Sequence, residues 1–390
     1  MPTSTLAFPR IVRIGGGASG EVPEVLKQLG FSRPALLTGK HVHGSGMVQP
    51  LLDRLESAGI AVRVSTETVP DPTVAAVEAC VAFLRQGDHD CLIAFGGGSV
   101  LDTAKIAALV FRQGGATRDY KAPRLVDEPG LPVIAIPTTA GTGSEVSRFA
   151  TAADQLTDEK MLFMGLGFLP VAALVDHELT VSKPPRLTAD TGLDALTHAI
   201  ESYVSARANA FTRGQALMAL RAIGPNLRAA YREPGNAAAR EAMMLGATYA
   251  GLAFSNSSVA LVHALSRQLS ALFHMSHGLS NAMLLPTVTE FSAPAAPALY
   301  ADCARAMGLA AEAEAEDDAV AVARLLAELR ALNADLEVPN PKAFGVPEAR
   351  FEDALVPMAE RALASGTPGV NPRVPNVEEI VEIYRRAWNA

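Results

Sequence analysis

The chain has 390 residues, enough for two or three domains, and 49% hydrophobic against 19% charged residues mark it as a folded globular chain. A net charge of −8 with no dense Lys/Arg run argues against a nucleic-acid partner, and no apolar run reaches the roughly 20 residues that span a bilayer. Three scattered cysteines, Cys80, Cys91 and Cys303, read as reduced packing residues. The start, MPTSTLAFPR, lacks an export layout, so the expected location is the cytoplasm.

The first half alternates between two textures. PALLTG (34–39), IAVRVS (60–65), CLIAFGGG (91–98), LPVIAIPTT (131–139) and VAALVD (171–176) are short apolar runs, most of them ending in Gly, Thr or Asp. Between several of them lie helical patterns: EVPEVLKQLG, MVQPLLDRLESAG and TVAAVEACVAFLRQG. Strand–helix–strand repetition predicts a parallel sheet with helices on both faces, and ligands settle at the carboxyl ends of such strands. After SKPPRLT (182–188) the pattern becomes helical to the C-terminus, rich in Ala and Leu. This predicts an α/β domain over 1–183 and an all-α domain over 184–390. Within the second, the run 310–336 begins with an acidic patch, read as a solvated helix start. SGTPGVNPRVPN (365–376) is a loop before a last helix, VEEIVEIYRRAW.

AFGGGSVLDTAKIAAL follows the third predicted strand and opens a helix. Its glycines let the backbone N–H groups approach an anion, Ser99 is placed to cap the helix, and the helix N-terminus favours a phosphate. Asp102 is expected to point back from the first turn. A second loop, IPTTAGTGSEVSRFA, carries Thr138, Thr139, Thr142 and Ser144 around Gly141 and Gly143. Hydroxyls interleaved with glycine suit a ribose or phosphate wall, and two such loops at adjacent strand ends fit a dinucleotide.

TGLDALTHAIESYV places Asp194 and His198 four residues apart, one above the other on an apolar helix face. A buried carboxylate and imidazole need partners, and a divalent cation suits both. His263 and His277 are 14 residues apart in VHALSRQLSALFHMSHG, or roughly 21 Å along an unbroken helix. If both are ligands, the chain breaks around FHMSHG and His277 opens a new helix, with Gly278 relieving crowding. One Asp and three His then offer four N/O ligands to Fe2+, Zn2+ or a similar ion.

GGGSVLDTAKIAA, PTTAGTGSEVSRFA, TGLDALTHAIESYVS and LVHALSRQLSALFHMSHGLSNAMLLP, in that order, resemble the group III, iron-containing alcohol dehydrogenase family, which includes lactaldehyde and propanediol reductases and 1,3-propanediol dehydrogenase. The resemblance covers nearly the whole chain. It implies a dehydroquinate synthase-like architecture, a dinucleotide-binding α/β domain followed by an all-helical metal and substrate domain. It implies a metal, Fe2+, Zn2+ or another divalent ion, held by Asp194, His198, His263 and His277. It assigns Gly39, Lys40, Asp71, Gly97, Gly98, Ser99, Asp102, Thr138, Thr139, Thr142, Ser144, Lys160 and Leu179 to NAD or NADP. The implied reaction is reversible hydride transfer between the carbinol carbon of a small alcohol and nicotinamide C4, the metal acting as Lewis acid. A homodimer or larger homo-oligomer is expected, with LAFPRIVRIGGG as the pairing strand.

Two departures from the family pattern carry expectations of their own. Many relatives have a histidine where this chain has Arg267. A guanidinium stays protonated and cannot relay a proton. Arg267, with Arg148, is therefore expected to attract a substrate bearing a carboxylate or other anion; Phe149 and Phe254 border that substrate, and His274 becomes the candidate proton relay. Relatives using NAD often carry Asp where Gly39 stands. Its absence, with Lys40 and His41 following, predicts that NADP is accepted. The alternatives are a maleylacetate-reductase-like enzyme, a hydroxy-acid dehydrogenase, or a lyase like dehydroquinate synthase. The last needs a crowd of Lys and Arg, and maleylacetate reductases work without a metal, whereas this chain keeps all four ligands.

Overall fold

A strand with apolar residues on both sides needs cover on both faces of its sheet. In the computed structural model, which describes residues 3–157, 159–311 and 316–390, that requirement shapes the first of two compact units, Thr5–Ser182. Its strands are Ile11–Ile14 (β1), Pro34–Gly39 (β2), Arg63–Thr68 (β3), Cys91–Gly96 (β4), Val133–Pro137 (β5), Phe149–Asp154 (β6), Glu159–Met164 (β7) and Ala172–Val175 (β8). Its helices are Val22–Leu29 (α1), Lys40–Gly44 (α2), Gln49–Ser57 (α3), Val74–Leu84 (α4) and Gly98–Gln113 (α5). Six strands form one parallel sheet in the order β1-β8-β5-β4-β2-β3. Alternate side chains divide between its faces: Leu36, Ile93, Phe95, Ile134 and Leu174 pack on α1 and α3, while Leu37, Leu92, Ala94 and Ala135 pack on α4 and α5.

The sequence reading misplaced one strand and missed two others. The strand expected over 60–65 lies three residues further on: Ile60 and Val62 pack on a sheet face as a lead-in, and pairing with β2 runs from Arg63. β6 and β7 form an antiparallel hairpin, paired from Phe149–Met164 to Asp154–Glu159; the expected second loop ends where it begins, and no strand is read from the residues beyond. One face of the hairpin, Ala150, Ala152, Met161 and Phe163, closes on the α4–α5 side of the sheet. Alanine gives a weak strand signal, which is why the hairpin did not show.

The second unit, Lys183–Ala390 with the first few residues of the chain, is helical, with no strand among its described residues. Its helices are Pro185–Val204 (α6), Ala210–Arg232 (α7), Ala237–Ser255 (α8), Leu261–Phe273 (α9), His277–Ser292 (α10), Pro297–Ala306 (α11), Asp318–Asp335 (α12), Pro341–Phe344 (α13), Glu348–Ala364 (α14) and Val377–Asn389 (α15). α6 is buried almost all round from Thr188 onward, although it carries Asp190, Asp194, His198 and Glu201. A helix in that position is a core element, and each of its polar groups needs a specific partner. Asp317 caps α12 through the N–H of Ala319, in keeping with an acidic helix start; residues 312–315 of the acidic run lie outside the described residues. Asn376 caps α15 in a reciprocal arrangement with Glu379.

The hairpin is fastened to the first unit by a fork. Arg118 donates to buried Asp154 through Nε and Nη2, at 2.5 and 2.7 Å. The Arg118 hydrogen bonds, joined by the N–H of Leu156, hold the Asp154 carboxyl well below the usual carboxylate range. A carboxyl depressed in the folded state stabilises fully above its unfolded pKa, near 3.8, and loses that effect as pH falls further. Asp154→Asn should therefore lower thermal stability at pH 7, and the gap to wild type should narrow below pH 4. Melting curves from pH 7 down to 2.5 check this; a gap that stays constant would contradict it.

Candidate metal centre and cofactor loops

The helix break needed between the two histidines is present. α9 stops at Phe273, His274 takes a left-handed conformation (φ 54°), and α10 opens on His277. Gly278 then lets α10 lie directly on α6: a Cβ there would sit 2.2 Å from the Asp190 carbonyl oxygen. The fold thus turns His277 back toward the ligand face of α6.

On that face three imidazoles surround one carboxylate oxygen. From Asp194 Oδ1 the Nε2 atoms of His263, His277 and His198 lie at 3.7, 3.8 and 4.0 Å. Ligand atoms of Asp194, His263 and His277 all lie within 4.8 Å of one another. His198 adjoins this trio from the side, stacked between the rings of His263 (centroids 4.5 Å apart) and Phe254 (4.4 Å). Neighbouring ligands of a tetrahedral ion with bonds of about 2.1 Å stand about 3.4 Å apart. Asp194, His263 and His277 therefore group closely enough to hold a divalent cation, their Asp–His separations closing by a few tenths of an ångström. Burial alone would raise the Asp194 carboxyl, but His198, His263 and His277 outweigh it and hold the group ionised.

Two further residues belong to this centre that the sequence reading did not single out. Glu201, buried one turn beyond His198, accepts from His263 Nδ1 at 2.6 Å and from the N–H groups of Ala260 and Val262. It caps α9 and fixes the tautomer of His263, leaving the Nε2 lone pair for the ligand side. Burial lowers the basicity of His263, and its hydrogen bonds to the Asp194 and Glu201 carboxylates, with their charges, more than restore it. Asn281, one turn after His277 and fully buried, donates from Nδ2 to Asp194 Oδ1 at 2.7 Å. The i, i+4, i+7 spacing Asp194–His198–Glu201 and the i, i+4 spacing His277–Asn281 were the available signals.

Arg267 lies on the same helix as His263 but folds back on it. Its Nε donates to the His263 carbonyl at 3.0 Å and its Nη2 to Thr367 Oγ1 at 3.3 Å. Among the described residues no carboxylate pairs with it. His274 is exposed at the end of α9.

In the α/β unit, β4 and β5 are parallel neighbours, with Gly96 opposite Pro137, so the Gly and Thr loops emerge side by side. They touch: a Cβ on Gly98 would lie 2.5 Å from Thr142 Cγ2, and one on Gly97 would lie 3.3 Å from Thr139 Cγ2. The N-cap of α5 is Gly97, and no side chain caps it. Ser99 therefore does not cap: it lies inside the first turn and its hydroxyl accepts from Asp71 N–H, whose carboxylate pairs with Lys160 at 2.7 Å. Nor does Asp102 point back over the helix start. It accepts from Ser144 Oγ and from the N–H and hydroxyl of Thr151, tying the second loop to α5. Lys105 completes that tie. Fully buried, it donates to the carbonyls of Ser144, Ser147 and Phe149 and reaches both serine hydroxyls, at 2.5 to 3.3 Å. Burial draws it down to about 8, against the pull of the Asp102 and Glu145 charges. Thr138 is buried and donates its N–H to Gly96 O, and Leu179 packs against the α1–α3 side of the sheet. Gly39 ends β2, and Lys40 and His41, both exposed, open α2. Arg148 lies over the Phe149 ring at 5.9 Å.

The chain matches the description "Iron-containing alcohol dehydrogenase" over residues 9–177 and "Fe-containing alcohol dehydrogenase family, C-terminal" over residues 188–388. It is 38% identical to long-chain-alcohol dehydrogenase 1 of Geobacillus thermodenitrificans, over 90% of this chain and 89% of that one. Among solved structures it is similar to a 1,3-propanediol oxidoreductase, with TM-score 0.93 and 34% identity over 99% and 100% of the two chains. It is also similar to a sulfoacetaldehyde reductase of Bifidobacterium kashiwanohense in complex with NAD+, with TM-score 0.89 and 27% identity over the full length of both. The architecture is the dehydroquinate synthase-like one of the iron-containing alcohol dehydrogenase structures.

The Glu201 contact generates a test. Glu201→Gln should keep the fold and weaken affinity for Zn2+ or Co2+ by about 10–100-fold, the usual effect of losing a carboxylate behind a ligating histidine. Chelator competition, with circular dichroism as the folding control, measures this. Unchanged affinity in a folded variant would remove Glu201 from the centre.

Proposed function

The chain belongs to the iron-containing alcohol dehydrogenase family, and from that premise we propose that Asp194, His198, His263 and His277 hold a divalent ion, Fe2+ or Zn2+, for NAD(P)-linked interconversion of a small alcohol and its aldehyde. The observation that carries the reading is the convergence of three imidazole Nε2 atoms on Asp194 Oδ1. When bound, the ion supplies Lewis acidity that favours the alkoxide of an alcohol near neutral pH.

The residues of the chain do the rest by position and charge. Glu201 aims His263, and Gly278 aims His277. The Gly97–Gly98 turn offers the N-terminal N–H groups of α5 to a dinucleotide phosphate, with Thr139 and Thr142 beside it, and Lys105 and Asp102 keep the second loop in place. Phe254 shields the His198 side of the site from water. His274, exposed where α9 ends, exchanges the reaction proton with solvent.

The substrate class in this reading is an aldehyde bearing an anionic group. Arg267 supports it as a cation next to His263 without a carboxylate partner among the described residues, as does the likeness to a reductase of sulfoacetaldehyde. The lyase alternative finds no support in family membership. Assembly as a homodimer or larger homo-oligomer is supported by β1, an edge strand that leaves Val12 and Ile14 exposed. A cytoplasmic location is supported by the three buried, unpaired cysteines.

The test is turnover by wild type, Asp194→Asn and Arg267→Ala, stripped with chelator and reloaded, on a neutral short aldehyde and one carrying a carboxylate or sulfonate. Stripping and Asp194→Asn should each abolish turnover, and metal should restore it in wild type only. Arg267→Ala should lose at least tenfold in kcat/KM on the anionic aldehyde alone. Full activity without metal would defeat the metal reading, and equal losses on both aldehydes would defeat the anionic one.

Acceptance of NADP rests on Gly39. Its backbone is extended (φ −89°, ψ 151°), and a Cβ there would meet nothing nearer than Thr68 Oγ1 at 3.8 Å. Glycine is therefore not required by the turn, and the site tolerates a carboxylate. Gly39→Asp should fold normally and lower kcat/KM for NADPH at least tenfold relative to NADH, through repulsion of the 2′-phosphate. An unchanged coenzyme ratio would separate Gly39 from the choice.

A further inference from the structure

His277 is the residue of the metal centre with the most access to solvent. Its side chain is 32% exposed, against 3–7% for Asp194, His198 and His263. It is also the first residue of α10, just past the break at His274. The N–H groups of a first helical turn have no partner within the helix, and such a turn frays unless something outside holds it. A ligand at a helix start is therefore only as firmly placed as that start.

Both chain neighbours of His277 rest on one residue, Asp190 of α6. On one side, Ser276 Oγ donates to Asp190 Oδ2 at 3.0 Å. On the other, Gly278 lies against the Asp190 backbone, where a Cβ would come within 2.2 Å of the carbonyl oxygen. Ser276 is the N-cap residue of α10, a position where a serine side chain ordinarily accepts from an N–H of the first turn, yet it makes no such bond. Its hydroxyl proton goes to Asp190 instead. Asp190 is itself buried and fixed: its Oδ1 accepts from Arg186 Nε at 2.8 Å and faces Nη2 at 2.6 Å. Arg186 Nη1 in turn donates to the carbonyls of Leu336 and Glu337, just past the end of α12. Asp190 and Asp194 are one turn apart on the same face of α6. One carboxylate faces the three imidazoles, and the other anchors the helix start from which His277 reaches it.

We propose that Asp190 is a positioning residue for the metal centre: through Ser276 and Gly278 it clamps the start of α10, keeps His277 in place and so sets how slowly the ion leaves. The proposal rests on the metal reading above. His277 is the ligand with an open side to move into, whereas the other three are enclosed, so release begins with His277 letting go. A slack helix start speeds that step.

The experiment follows zinc release to excess chelator by stopped flow in wild type, Ser276→Ala, Ser276→Thr, Asp190→Ala and Asp194→Asn. Amide hydrogen exchange at 277–280 is measured on the metal-free proteins, with circular dichroism as the folding control. Ser276→Ala should release zinc about tenfold faster, the effect of one lost hydrogen bond to a charged group. Asp190→Ala should be at least as fast, and the capture rate should stay within about twofold of wild type. Exchange at 277–280 should quicken in both variants, and Ser276→Thr, which keeps the hydroxyl, should restore wild-type release and exchange. Unchanged release in folded Ser276→Ala overturns the proposal, and because Ser276 is exposed this arm stands even if Asp190→Ala does not fold. Faster release with unchanged exchange at 277–280 also overturns it, since the effect would then bypass the helix start. Zinc uptake lost in Asp194→Asn while release is indifferent to Ser276→Ala brings down the clamp alone. Uptake indifferent to Asp194→Asn brings down the metal assignment and this proposal with it.

Discussion

Asp194 is the constraint around which the helical unit is arranged. An ionised carboxylate inside a helix that is buried nearly all round carries a solvation cost that only close partners offset. The chain meets that demand with side chains from three helices, His198 of α6, His263 of α9 and His277 and Asn281 of α10. The helix break at His274 and the bare backbone at Gly278 follow from the same need. Without them the His277 ring would lie several turns away from the carboxylate it faces.

The α/β unit solves the mirror problem. Lys105 is a cation with no exposed surface, and it is satisfied by oxygens of the Ser144–Phe149 loop rather than by one counter-ion. Asp102, one turn earlier, takes Ser144 and Thr151 from the other side. Helix and loop are therefore joined through two charges of opposite sign that share Ser144. The flexible part of such a site is small. Gly97 and Gly98 lie against Thr139 and Thr142 of that loop with no room for a side chain between them.

How much of this the sequence disclosed follows from the kind of signal each feature leaves. The parallel sheet was visible because fully buried strands leave continuous apolar runs, as in CLIAF and VIAI. The β6–β7 hairpin hid behind the alanines of β6, and β1, too short for a periodicity, was legible only through the family resemblance. At the metal centre, Asp194 and the histidines stand out as polar residues in apolar surroundings. Glu201 and Asn281 satisfy the same description and were passed over, because Glu and Asn are common on helix surfaces and only tertiary packing shows that these two are buried. Asp102 and Ser99 failed differently. Their position at a helix start favoured an anion site or a cap, but distant residues, Thr151 and Asp71, claimed their side chains.

Arg267 acts on His263 through the backbone and not through the ring. The residue stands one turn after His263, and its Nε takes the carbonyl of that same histidine. On the other side of the ring, Glu201 holds Nδ1. His263 is thus gripped at its backbone by a cation and at its ring by an anion. Burial lowers the Arg267 guanidinium, and the charge of Glu201 opposes that fall. A histidine at position 267 would be free to lose its proton, and the balance around His263 would then vary with pH near neutrality. A guanidinium keeps its proton there, so the charge beside His263 does not vary over that range.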